Sequence, residues 1–129
     1  MNAMVGDAGD LSASGTNANN PDYLQFFSIN QIPNPHHIFV FLDEHPDSIN
    51  DGYFVNKAYN PQWFDLPASY HNGAAAFAYA DSHAELHRWR YPMTQQPSHP
   101  ESINWPLVTP SDARDDLRWM VDRMSIEKD

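Results

Sequence analysis

Three histidines and a cluster of acids are the side chains of this chain with chemistry to offer. His83, Glu85 and His87 alternate along one short segment, and His71 lies a few residues upstream. Imidazole and carboxylate are zinc-type ligands, so His71, His83 and His87 form one candidate metal set. Alternation on a strand leaves neighbours on one face ~7 Å apart, too far to converge easily on a single ion. The plainer reading is a polar strand face. A second set, Asp43, Glu44, Asp47, Asn50 and Asp51, puts five oxygen donors in "DEHPDSINDG" and suits calcium. It does not follow the EF-hand template. Counted from Asp47, Ile49 occupies the third position and Ala58 the twelfth, where acids belong. The competing reading is a tight turn whose Asp and Asn side chains cap their own backbone.

Catalytic patterns are weaker still. Asp43, Asp81 and a histidine could serve hydrolysis, but Ser69 lacks a Gly-x-Ser-x-Gly elbow. There is no cysteine, which removes thiol nucleophiles, thiolate metal sites and disulfides together. Five glycines are scattered and form no phosphate-cradling loop. The expectation is a chain that is not an enzyme. Trp63, Trp89, Trp105 and Trp119 could make a sugar or peptide platform, but in a small domain tryptophans are more often core residues.

The elements that must position these residues fit one small domain of 129 residues. A net charge of −10 and a pI near 4.8 argue against nucleic acid or anionic lipid as partner, and leave room for cations. No apolar run of ~18 residues is present, so the chain as given reads as soluble. Residues 1–22 are poor in apolar side chains and read as flexible, or as a long loop that needs a host. "YLQFFSINQI" fits a strand or a short helix. "HIFVFLDE" (37–44) is the best strand, expected mid-sheet with both faces covered. "YFVN" (53–56) reads as a short returning strand, and "YPMTQQPSHPES" as a proline-rich loop.

Residues 74–80 and 83–89 read as a hairpin around a two-residue Asp81-Ser82 turn. That pairing puts Phe77 and Tyr79 beside Ala84 and Leu86. It puts Ala74, Ala76, Ala78 and Ala80 opposite His83, Glu85, His87 and Trp89. The all-alanine strip would let a helix approach closely. A C-terminal helix follows, with Thr109 as N-cap, Pro110 as its first residue and Asp112 as the capping-box acid. Ala113, Leu117, Met120, Val121 and Met124 form its apolar face.

His71, nine residues, then Asp81-Ser82 resembles the spacing of the prepilin-type processing-associated H-X9-DG family, whose members are pseudopilin-like. "IFVFLDEHPDSINDGYF" (38–54) and "WFDLPASYHNGAAAFAYADSHAELHRW" (63–89) are similar to that family's segments. Ser82 stands where the family usually has glycine. The resemblance implies an α+β fold, with an antiparallel sheet of about four strands and a C-terminal helix, over residues 23–129. It implies a structural subunit or accessory of a type II secretion or type IV pilus-like assembly, with His71, Asp81 and Ser82 as structural motif residues. Its partners would be other pseudopilin subunits and secretion-machinery proteins. Full-length members sit on the periplasmic side of the inner membrane, anchored by an N-terminal apolar helix; "MNAMVGDAG" looks like an interior segment without that helix. Some pseudopilins bind calcium in a loop, which by analogy points to Asp43–Asp51. The alternative reading is a soluble module that binds calcium or another divalent cation, at that corner or at His71, His83 and His87.

Overall fold

The alanine run forms the central strand of the main sheet. In the computed structural model, which describes residues 1–98 and 107–129, strand β3 (Ala74–Tyr79) lies between β1 (Phe39–Leu42) and β4 (Ala84–Arg88). Both pairings are antiparallel. A separate ribbon pairs β2 (Gln62–Trp63) with β5 (Leu107–Val108). One α-helix, α1 (Asp115–Met124), closes the chain, giving an α+β fold with antiparallel sheets and a C-terminal helix. The expected single sheet of about four strands is thus three strands plus a two-stranded ribbon. The segment 37–44 forms an edge strand instead of the middle one, and Phe41 is 56 % exposed. "YFVN" does not become a strand; Phe54 makes only an isolated parallel bridge to Asn2.

The hairpin has a three-residue loop, Ala80-Asp81-Ser82. Ser82 N donates to Tyr79 O (3.0 Å) and Tyr79 N to His83 O (2.9 Å), with Ser82 at φ 78°. A type I turn followed by a left-handed residue is the standard three-residue solution. The extra loop residue moves the register by one, to Phe77↔Glu85 and Ala76↔Leu86. A one-residue slip exchanges the faces of one strand relative to the other. Glu85, His83, His87 and Trp89 therefore share the side of Phe77 and Tyr79, while Ala76 and Ala78 share theirs with Ala84 and Leu86.

The inner face carries the core. Phe77 meets Phe39, Trp89 and Trp119 edge-on, with centroids 5.4, 6.0 and 5.2 Å apart, a geometry that adds about 0.5–1.5 kcal/mol per pair beyond the area buried. Leu117, Met120 and Met124 of α1 pack on the same cluster. The helix begins differently from its sequence signature. Ser111–Ala113 form a 3-10 turn, α1 starts at Asp115, and the buried Thr109 hydroxyl has no hydrogen-bond partner among the described residues. The Asp116 carboxylate faces away from its own helix end. It accepts from Arg90 N, Tyr91 N and Thr94 Oγ1 and ties the post-hairpin loop to the helix.

Residues 1–22 find their host in the rest of the chain. Asn2, Ala3 and Met4 are fully buried. Asn2 Nδ2 donates to Phe39 O (2.8 Å) and Met124 O (2.9 Å), and Asn2 Oδ1 accepts from Met4 N. Gln25 and Asn20 do the same for Ala3 O, Gly6 O and Asn56 O. Amides can replace apolar side chains in a core when every donor is matched to a backbone carbonyl. The following stretch resolves as a 3-10 turn, Ile29–Gln31, with a Ser28–Gln31 capping box.

Candidate functional site

His71 precedes the hairpin and is held in place from two sides. Its backbone N donates to Ala74 O, and its Nε2 lies 3.2 Å from Asp43 Oδ2. The same carboxylate oxygen accepts from Ala76 N at 3.2 Å. One exposed pair thus joins the start of β3 to the residue after β1. At the far end of β3, Asp81 accepts from His83 N and pairs with His83 Nδ1, and these bonds hold its carboxyl below the usual range. The His83 ring stacks on Tyr79 at 4.4 Å. His71 and Asp81 therefore bracket the strand, each closed by its own partner.

The structure does not bring His71, His83 and His87 together. His87 lies flat on Trp119, with centroids 3.5 Å apart, and burial pushes its pKa down. Arg123 also lies against that indole, 4.0 Å from its centroid. With His87 and Arg123 both on its ring, Trp119 is no open sugar platform. Trp63 and Trp89 are fully buried, and Trp105 and the end of the proline-rich loop lie outside the described residues.

The acidic corner is likewise partitioned. Glu44 accepts from Ser48 Oγ (3.1 Å), Asp47 N donates to His45 Nδ1, and Asp51 accepts from Tyr53 N (2.7 Å). Asn50 is exposed. Among the described residues, no three His, Asp or Glu side chains form a group able to hold a metal ion. The corner's chemistry is instead that of a crowded pair. Glu44 is half-buried and Asp65 is 6 % exposed. Burial, then the neighbouring Asp65 charge, raises Glu44 to about 7. Burial raises Asp65 to about 6 against the hydrogen bond it accepts from Val55 N. Asp65 was not among the residues singled out from the sequence. Its signal was faint, an acid between Phe64 and Leu66 in an otherwise apolar run.

The remaining feature is a face. On the side of the sheet opposite the core, Phe41, Ala76, Ala78 and Ala84 line a shallow open depression together with Asp43, and Leu86 lies on the same face opposite Ala76. Phe41 and Leu86 are 56 % and 61 % exposed. Small residues lie in the middle and large ones at the flanks, so the surface is concave and apolar. Among the described residues nothing packs on it. Comparisons of the chain with protein-family models, with curated proteins and with solved structures found no match. Among the described residues no helix is long and apolar enough to cross a membrane.

Proposed function

We propose that this chain is a non-enzymatic, pseudopilin-like structural subunit, and that it works by packing an apolar helix against the outer face of its three-stranded sheet. The observation that carries the reading is the open face itself. A three-stranded sheet normally buries both sides when both are apolar, and here one side lies on α1 while the other presents Phe41 and Leu86 to solvent. Alanines at 76 and 78 lower the middle of that surface, which suits a helix better than a flat sheet partner. The resemblance of residues 38–54 and 63–89 to the H-X9-DG family supports the same reading, and supplies the class of partner: other subunits of a secretion or pilus-like assembly on the envelope side of the inner membrane. His71 and Asp81 take structural roles in it, fixing the ends of the central strand.

The test uses native cells. Mass spectrometry of the isolated protein should find an apolar helix upstream of residue 1, and a Leu86→Cys variant should crosslink to a cysteine placed on that helix. A mature protein that starts at Met1, with Leu86→Cys uncrosslinked to any subunit, overturns the reading.

A further inference from the structure

A groove of about 300 Å³ lies between residues 58–61 and α1. Its floor is apolar, from Leu117, Val121 and Pro61. Tyr59, 55 % exposed, forms a wall braced edge-on by Tyr23 at 6.1 Å. Arg114 and Arg118 line one end and Asp122 the other. The two arginines are one helical turn apart, a rise of about 6 Å. In a chain with 7 basic and 17 acidic side chains, two of the seven cations line this groove.

Neither arginine is committed to a close carboxylate. Arg114 donates from Nε to Thr109 O at 3.4 Å and makes no ion pair among the described residues. Arg118 lies 3.7 Å from Asp115, whose other oxygen is held more closely by Arg90 at 3.1 Å. Guanidinium forks match carboxylates bidentately. Asp122 and the overall negative field disfavour a polyanion, and the volume suits a body the size of a leucine side chain better than a nucleotide.

We propose that this groove binds a terminal carboxylate attached to a compact apolar body, with the carboxylate on Arg114 and Arg118 and the body over Leu117 and Val121. A free small molecule and the C-terminus of a peptide share this chemistry. The site is separate from the open sheet face and does not rest on its role.

Amide chemical-shift titration of the full chain tests it, with N-acetyl-leucine, leucine amide, and one leucine-ended peptide with a free or an amidated C-terminus. The carboxylate probes should give saturable shifts at residues 58–61 and 114–122, and the amides should not. Arg118→Gln should weaken binding about fivefold or more and Arg114→Gln/Arg118→Gln should abolish it. Arg118 is exposed, so the single variant keeps the test valid if the double variant loses structure. Tighter binding of the free-ended peptide than of N-acetyl-leucine assigns the groove to a chain end; the reverse assigns it to a small molecule. No saturable shift up to about 10 mM, or equal shifts with the amides or with Arg118→Gln, overturns the proposal.

Discussion

Replacing Glu44 with glutamine removes a charge from the crowded corner while keeping an oxygen for the Ser48 hydroxyl to donate to. The wild-type carboxyl is raised from 4.5 to about 7, by burial first and Asp65 second. The fold therefore favours the protonated acid. The stabilisation this gives is fully present below the unfolded value and is lost as pH rises from about 4.5 through about 7. A shift of that size corresponds to roughly 3 kcal/mol for a fully buried group. Glu44 is only half-buried, and screening reduces the figure to about 1–2 kcal/mol. Glu44→Gln should thus be about 1–2 kcal/mol more stable than wild type at pH 8 and level with it at pH 4. Urea denaturation of both proteins across that range measures the difference directly. A difference that does not change with pH, or that grows toward acid, would refute the electrostatic account.

Ser82 holds φ 78° in the hairpin loop, a conformation glycine adopts without cost; Ser82→Gly should stabilise by about 0.5–1 kcal/mol, raising the melting temperature by about 2–5 °C in a calorimetric scan. Asn2→Ala leaves Phe39 O, Met124 O and Met4 N without their partner in the core, and should cost about 2–4 kcal/mol by urea denaturation. Because the described carboxylates and histidines form no metal-holding group, the melting temperature should agree within about 1 °C in excess calcium and in chelator. A rise of several degrees with calcium would restore the cation-binding reading, since a ligand selective for the folded state stabilises it by mass action.

Much of the hairpin was legible because alternation and turn residues are local signals. Its register was not. Residues 83–89 offer Ala84 and Leu86 on one face and Trp89 among polar residues on the other, so the pattern carries little contrast to choose between pairings one residue apart. The decision fell to Ser82, whose left-handed conformation admits the three-residue loop. The strand at 39–42 was recognised by its composition, yet its place in the sheet depends on which strand later chain supplies as its neighbour. Residues 1–22 left two readings open, flexible or a loop needing a host, for a different reason. Asparagine and glycine usually mark solvated loops, and nothing local says that Asn2, Asn17 and Asn20 will be buried against particular carbonyls. At the candidate sites, the joining of His71 to Asp43 crosses 28 positions, and Arg114 and Tyr59 come to line one groove only through the packing of α1, neither of which a single segment reveals.

The amide of Asn2 bonds to a carbonyl 122 positions away, Leu24 N to Ile126 O, and Lys128 N to Asp22 O. These contacts bind the earliest and latest segments of the chain into one core. During synthesis, residues 1–26 are made well before their partners at 124–128. Until those partners are made the hairpin can form but its core cannot be sealed, and contacts of such sequence separation should make folding slow for a chain of this size. In that interval the open alanine face and the unfilled inner face are exposed together, which makes the unfinished chain prone to aggregate.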